Sequence, residues 1–359
     1  MAEELRNVFN EEFIKELSLS FKKEYSLFDS LKFYNLIFQE DWKDLTLKQR
    51  MRRITNSLKE VLPSEYTRAL KIICITAPQF SGGLRGIIFP DYVEQFGLDY
   101  WNESIEALAF LTKYSTAEFA VRSFFLKDHQ RMMGQMITWS LDSNEHVRRL
   151  ASEGSRPRLP WGMAVPSIKQ NPKQTLPILN NLKEDPSLYV RKSVANHLND
   201  ISYIKPELVL RLAGEWFGAS KHTNWIIKHA CRSLLKKGNK QALSLFGYND
   251  EPGIIINNLA ADHETIRIGE SISFSFEITT LKTLPLRVEY GIDYVKSRGE
   301  RSRKIFHLKT FELKENESAV INRSHSFKNL TTRKHYKGIH TLSIMINGAV
   351  KAVLDFTIE

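Results

Sequence analysis

The sequence predicts a mainly α protein, with a helical repeat solenoid at residues 1–248 followed by a small all-β sandwich at residues 253–359. Two observations lead to this prediction. The spacing of apolar residues changes from three and four to two near residue 250. A pattern also recurs within the helical part at an offset of 43 residues. The total length of 359 residues suits two domains.

Composition narrows the class of protein. A chain with 42% hydrophobic and 26% charged residues is typical of a packed protein, which excludes wholesale disorder. No run of 18 apolar residues predicts a membrane span, and Met1-Ala2-Glu3-Glu4 does not begin a secretory signal. Two cysteines, Cys74 and Cys231, cannot build a disulfide framework. We therefore expect a cytoplasmic protein that does not associate with membranes.

The charge balance favours a polyanionic partner. The chain carries 51 basic and 41 acidic residues, a net charge of +10. A net positive charge of this kind favours nucleic acid over a membrane surface as the partner. Between Phe217 and Asn249 there is no acidic residue, whereas six basic residues occur: Lys221, Lys228, Arg232, Lys236, Lys237 and Lys240.

The helical repeat is visible in two related runs. Asp142-x4-Val147-Arg148-x2-Ala151 resembles Asp185-x4-Val190-Arg191-x2-Val194, and Glu118-x2-Val121-Arg122 is an earlier partial copy. Asp142 and Asp185 are predicted N-caps. Paired helices repeating about every forty residues are typical of HEAT-like solenoids, whose concave face suits a long, charged partner.

The second part alternates apolar and polar residues. Asn347-Gly348 lies between two alternating runs and predicts a tight hairpin. About seven strands of this size suit an immunoglobulin-like sandwich, here without a cysteine pair. The predicted strands lie near 254–259, 265–278, 286–295, 304–313, 318–327, 338–346 and 349–358.

The common cofactor and metal motifs are missing from the sequence. There is no P-loop, His-Glu-x-x-His or Cys-x-x-Cys. Gly82-Gly83-x-x-Gly86 follows no predicted strand, and His222 and His229 have no third ligand in view. We therefore expect neither a metal nor a cofactor.

Two acidic residues stand where a helix disfavours them. Glu153 precedes Gly154, a predicted C′ residue, and Asp200 ends the next helix of the pattern. The dipole at a helix C-terminus prefers cations. Each acid could simply pair with a nearby Arg149 or Arg156. Two such acids facing a basic groove favour a functional role.

The segment after Gly154 also has functional potential. Arg156 and Arg158 offer guanidinium groups for phosphate, and Trp161 could present its ring to a ligand. The alternatives are solvated arginines and a tryptophan that plugs the core. Glu118 stands in Ser115-Thr116-Ala117-Glu118, which matches a capping box, so it could instead cap a helix.

Several runs of residues are distinctive when taken together. They are Glu118-x2-Val121-Arg122, Ala151-Ser152-Glu153-Gly154-x-Arg156-Pro157-Arg158-Leu159-Pro160-Trp161-Gly162, Asn196-His197-Leu198-x-Asp200 and the stretch from Trp225 to Gly238. They resemble the AlkC/AlkD family of DNA glycosylases, and the AlkC branch in particular, some of whose members carry an immunoglobulin-like domain.

The resemblance implies an enzyme of base excision repair. It implies hydrolysis of the N-glycosidic bond of cationic alkylated bases, 3-methyladenine and 3-methylcytosine, in duplex DNA without conventional base flipping. It also implies that Glu118, Glu153 and Asp200 are catalytic and that Trp161 lies against the lesion. We expect a monomer that binds DNA through Arg149, Arg156, Arg158, Lys228, Arg232, Lys236, Arg298, Arg301 and Arg303.

Two questions stay open at this level. A non-catalytic HEAT-like scaffold for nucleic acid or acidic protein would also need a basic groove. The basic segment from Lys296 to Lys304 is predicted to be a loop between strands, where it would close the β domain over DNA. It could equally be a solvated loop, or the domain could dock a protein.

Overall fold

The computed structural model describes residues 5–330 and 334–359, and over this part it has sixteen α-helices followed by eight β-strands. No helix of the described chain is long and apolar enough to cross a membrane. The helices are α1 (Glu11–Glu24), α2 (Ser30–Ile37), α3 (Leu47–Val61), α4 (Tyr66–Thr76), α5 (Ile88–Phe96), α6 (Trp101–Leu111), α7 (Val121–Lys127), α8 (His129–Trp139), α9 (Glu145–Gly154), α10 (Pro166–Gln170), α11 (Leu176–Leu182), α12 (Leu188–Ser202), α13 (Pro206–Trp216), α14 (Lys221–Ala230), α15 (Arg232–Lys236) and α16 (Lys240–Leu245).

The chain forms two compact units. The first comprises the residues up to Ile204 together with Gly218–Ala230, and the second comprises Lys205–Phe217 together with Cys231–Glu359. Helices α13, α15 and α16 therefore belong to the unit that contains the strands. The change from helix to strand falls between Leu245 and Ile254. The domain bounds 1–248 and 253–359 stay a prediction.

The turns before α9 and α12 are built alike. Asp142 accepts a hydrogen bond from the Asn144 amide at 2.7 Å, and Asp185 accepts one from the Ser187 amide at 2.8 Å. The N-caps are Asn144 and Ser187. The prediction that the two aspartates are themselves N-caps is wrong by two residues, because each aspartate instead closes an Asx-type turn before its cap.

Gly154 allows a close approach between helices. It is the last residue of α9 and does not adopt the left-handed conformation expected of a C′ glycine. A Cβ atom there would lie 2.5 Å from Cγ2 of Val121 and 3.0 Å from Cε of Met136. The prediction of a C′ glycine is therefore wrong, and the glycine is needed for packing between α9, α7 and α8.

The strands form two sheets around one apolar core. Strands β1, β3 and β6 form one sheet, and the order in the other is β2-β8-β7-β4-β5. Buried residues of β3, β4 and β7 contribute to the same core, as in a sandwich. The strands are β1 (Ile254–Ala261), β2 (Thr265–Ile266), β3 (Ser271–Thr280), β4 (Leu284–Val295), β5 (Arg301–Leu313), β6 (Ser318–Ser326), β7 (Gly338–Ile346) and β8 (Ala349–Ile358).

The predicted strands agree with these bounds to within about three residues, except at one place. The run 265–278 is two strands, β2 and β3, with a turn at Gly269 that has φ of 105°. The Asn347-Gly348 hairpin is confirmed: both residues have positive φ, 52° and 82°, and Ile346 pairs with Ala349. The fold class, a HEAT-like solenoid followed by an immunoglobulin-like sandwich, is confirmed.

Candidate active site

Arg156 joins the two acids at the ends of α9 and α12. Its Nη1 lies 2.6 Å from Oε1 of Glu153, and its Nε lies 2.8 Å from Oδ2 of Asp200. All three side chains are more than nine-tenths buried. The structure therefore places Arg156 inside the acidic cluster, and not on the surface where a phosphate contact was expected. The pairing of each acid with a nearby arginine, the alternative weighed above, is present.

Arg149 extends the cluster to the third acid. Its Nη1 lies 2.6 Å from Oε2 of Glu118, and its Nη2 lies 3.7 Å from Oε1 of Glu153. Its guanidinium also lies 5.0 Å from the centre of the Tyr189 ring. Glu118, Glu153 and Asp200 are thus brought together by two arginines, although the sequence assigned both arginines to DNA.

Glu118 does not cap a helix. Helix α7 begins at Val121, and the Ser115 amide donates to the Leu111 carbonyl instead of to Glu118. The Thr116 hydroxyl donates to Oε2 of Glu118 at 2.8 Å. The capping-box alternative is therefore wrong, since the carboxylate is turned toward Arg149.

Burial and the neighbouring charges together shift the pKa values of Asp200, Arg156 and Arg149. Burial raises the pKa of Asp200, and Arg156 opposes this by hydrogen bonding and charge. Burial alone would lower the pKa of Arg156, but Asp200 and Glu153 more than compensate and raise it. The same balance, with Glu118 and Glu153 as the anions, raises the pKa of Arg149. Both guanidinium groups therefore stay protonated.

Asp200 and Glu118 each have one carboxylate oxygen that takes no part in the ion pairs with the arginines. Arg156 engages Oδ2 of Asp200, and Arg149 and Thr116 engage Oε2 of Glu118. Over residues 5–330 and 334–359, no protein hydrogen bond reaches Oδ1 of Asp200 or Oε1 of Glu118. These two oxygens can accept a water or face a positive charge.

Buried donors fix the cluster from below. The Arg122 guanidinium donates to the carbonyls of Gly154 at 2.9 Å, of Arg156 at 3.0 Å, and of Met163. Burial lowers the pKa of Arg122 to about 10. The Ser193 hydroxyl donates to Oε2 of Glu153 at 2.5 Å. This role of Arg122 was not predicted, although its place in the Val-Arg repeat was the available signal.

His197 ties α12 to the last turn of α9. Its Nδ1 lies 2.9 Å from the Ser152 carbonyl oxygen, and since a carbonyl can only accept, Nδ1 carries the hydrogen. The side chain is fully buried, and burial lowers its pKa to about 3. The imidazole is therefore neutral and structural.

Trp161 is held in an unusual conformation. Its φ is 61°, and its side chain is 60% exposed, so the alternative of a core plug is excluded. A bulky residue in the left-handed region costs about 1–3 kcal/mol. Gly162 has no positive φ; a Cβ atom there would lie 2.7 Å from Leu159. The strain therefore resides in the tryptophan, and the glycine makes room for Leu159.

Arg158 is the exposed arginine of this segment. Its guanidinium lies 4.3 Å from the centre of the Tyr203 ring, and Tyr203 is also exposed. Stacking on the ring orients the guanidinium while leaving its edge for an anion. Of the two arginines predicted to bind phosphate here, the geometry favours Arg158.

The basic residues after Trp225 do not share one helix face. Helix α14 ends at Ala230, and α15 begins at Arg232 after an interruption at Cys231. Lys228 belongs to the first compact unit, whereas Arg232 and Lys236 belong to the second. The three cations, all expected to bind DNA, therefore do not stand on one continuous helix.

The predicted basic loop is shorter than expected. Strand β5 already begins at Arg301, so of the three arginines only Arg298 lies in the turn. Arg303 pairs with both oxygens of Asp293, at 2.9 and 2.7 Å. Arg301 donates to the Ile339 carbonyl at 2.5 Å. Both are engaged along the sheet and not on a free loop.

Known proteins share this architecture over its whole length. A family model described as "Uncharacterised protein YhaZ, C-terminal Ig-like domain" matches residues 255–359. The "Uncharacterized protein YhaZ" of Bacillus subtilis (strain 168) is 54% identical over 355 residues, 99% of both chains. The structure of Pseudomonas fluorescens alkylpurine DNA glycosylase AlkC, bound to DNA containing an abasic site analog, matches with a TM-score of 0.95 and 40% identity over 99% of both chains. This chain belongs to the AlkC family of alkylpurine DNA glycosylases.

Proposed function

We propose that this chain is a DNA glycosylase of base excision repair, acting as a cytoplasmic monomer. It hydrolyses the N-glycosidic bond of cationic alkylated bases, 3-methyladenine and 3-methylcytosine, in duplex DNA without extruding the base. One observation carries the proposal: three carboxylates, Glu118, Glu153 and Asp200, gather around Arg149 and Arg156 in a family of alkylpurine glycosylases.

The residues of the cluster suit the chemistry of a cationic lesion. A methylated ring nitrogen makes the base a cation and therefore a good leaving group that needs no proton. The remaining task is to stabilise the oxocarbenium-like sugar and to aim a water at it. Carboxylates perform both roles in glycoside hydrolysis. We assign these roles to the clear oxygens, Oδ1 of Asp200 and Oε1 of Glu118.

The arginines make the carboxylates effective. Each guanidinium fixes the orientation of a carboxylate before the reaction begins, which avoids reorganisation as charge develops. For Asp200, whose pKa burial raises, pairing with Arg156 opposes the effect of burial. Glu153 is held through both carboxylate oxygens, Oε1 by Arg156 and Oε2 by Ser193.

Trp161 provides an aromatic surface outside the fold. Its exposed ring can lie against the charged nucleotide, where a cation is attracted by the face of the ring. An exposed ring suits a base that stays in the duplex, in contrast to enzymes that extrude the base into a pocket. Arg158 and Lys228, both exposed, would contact neighbouring phosphates.

The proposal is tested by changing two acids without changing their shape. We expect Glu153→Gln and Asp200→Asn to slow single-turnover release of 3-methyladenine from duplex DNA about 100-fold, because Asp200→Asn removes a charge aimed at the sugar cation and Glu153→Gln removes the anion that holds Arg156 in place. Fluorescence anisotropy should show unchanged DNA affinity. Glu145→Gln, at the exposed end of the same helix α9, is the control. Rates equal to wild type for both variants would refute the assignment.

A further inference from the structure

Lys48 reaches the strained tryptophan from a distant part of the chain. It lies in the first turn of α3, and its ammonium donates to the carbonyl oxygen of Trp161 at 2.5 Å. The two residues are 113 positions apart. A charged donor makes a stronger hydrogen bond than a neutral one.

The ammonium of Lys48 is itself held in place. It lies 4.4 Å from the centre of the Phe119 ring. Two buried acids on α5, Asp91 and Glu94, lie 2.9 and 3.1 Å from the guanidinium of Arg52. Burial lowers the pKa of Lys48, and the charges of Glu94 and Asp91 oppose this. Lys48 is therefore a positioned cation and not a freely moving surface lysine.

The carbonyl that Lys48 binds is the one that a left-handed residue redirects. At φ of 61° the peptide group of Trp161 points differently from that of an extended or helical residue. A donor fixed at that carbonyl therefore favours the left-handed state over its competitors. Two residues further on, Arg122 donates to the Met163 carbonyl, so the segment is held on both sides of Gly162.

We propose that Lys48 is a positioning residue for base excision: it acts through Trp161 by holding this residue in the conformation that carries its ring out of the fold. The proposal rests on the proposed function for its consequence in catalysis, but not for the conformation itself. Without Lys48, the Trp161 segment relaxes and the ring spends less time where it meets the lesion nucleotide.

The first test is a double-mutant cycle on excision. We expect Lys48→Met to slow single-turnover release of 3-methyladenine roughly tenfold, and to have no further effect when Trp161 is already Ala. Lys59→Met is the matched control, because Lys59 lies on the same helix, donates to the Ser64 carbonyl and lies over the Phe96 ring. An equal slowing in both backgrounds would mean that Lys48 contacts DNA directly, and an unchanged rate would mean that it has no role; either result overturns the proposal.

The second test needs no enzymatic activity. Acrylamide quenching of tryptophan fluorescence, taken as the difference from a Trp161→Phe variant, reports how exposed this ring is. We expect Lys48→Met to reduce that exposure and Lys59→Met to leave it unchanged. Unchanged quenching in Lys48→Met would refute the positioning role even in an active enzyme. If the wild-type protein released no methylated base, the proposed function would fail while this measurement would still decide the role of Lys48.

Discussion

The two repeat-related helices α9 and α12 are alike at their beginnings and different at their ends. Near the beginning of each helix, an arginine at the same repeat position donates to two carbonyls of the turn that precedes the helix. Arg148 donates to those of Asp142 and Ser143, and Arg191 to those of Asp185 and Pro186. At the other end, α9 stops at Gly154 while α12 continues to Ser202. The beginnings repeat because they build the solenoid.

The acids belong to the parts that do not repeat. Asp200 follows Glu153 by 47 residues, whereas repeat-related positions are 43 apart, so the partner of Glu153 in the repeat is Asn196. The two acids therefore do not occupy equivalent positions of the repeat. Arg156 brings the two acids together, because it pairs with Glu153 at the end of α9 and with Asp200 in the part of α12 that extends beyond the repeat. Within this pair of repeats, the candidate catalytic acids therefore lie at positions that the two repeats do not share.

The largest expected effect concerns Arg156, the arginine that pairs with both Glu153 and Asp200. Arg156→Met leaves two buried carboxylates without their shared cation, and we expect a loss of about 3–5 kcal/mol in the free energy of unfolding. Urea denaturation measures it. Adding Glu153→Gln and Asp200→Asn to the same chain removes the uncompensated charges and should recover part of the loss. A single variant as stable as wild type would show that the pairing contributes little.

A second prediction concerns the link between the two helix ends. Burial lowers the pKa of His197 to about 3, while an unfolded histidine has a pKa near 6.5. Between these values the unfolded chain binds the extra proton, so stability is lost as pH falls from about 6.5 toward 3. Each pH unit in that window costs up to about 1.4 kcal/mol for one such group.

The measurement is the free energy of unfolding as a function of pH. We expect His197→Asn to be less stable at pH 7 but to have a shallower decline below pH 6.5. His222→Asn, a change at a partly exposed histidine of the same compact unit, is the control and should keep the slope of the wild-type protein. An unchanged slope in His197→Asn would mean that other groups dominate acid unfolding.

Local patterns predicted much of this fold, and long-range pairing explains what they missed. Alternation and Asn347-Gly348 located the strands, because both signals act over a few residues. Arg156 was expected on the surface, because its local sequence does not indicate that it pairs with Asp200, which is 44 residues away. The positive φ of Trp161 could not be predicted either, because it occurs together with a hydrogen bond to the Trp161 carbonyl from Lys48, which is 113 positions away in the sequence. The acids were found from their helix ends, but their arrangement depends on how helices pack.

The smallest expected effect tests the repeating end of the comparison. Arg191→Met removes two hydrogen bonds, of 2.7 and 2.8 Å, to carbonyls of a partly solvated turn. Because water can replace the lost donor, we expect a loss of only about 1 kcal/mol in the free energy of unfolding. Single-turnover excision should stay at the wild-type rate, since the turn lies at the other end of α12 from Asp200. The equivalent Arg148→Met should be more costly, because Arg148 also pairs with the buried Asp185 at 2.6 Å. A slower excision rate in Arg191→Met, with stability intact, would mean that the repeating turns take part in catalysis and that the two ends of these helices are not separate in function.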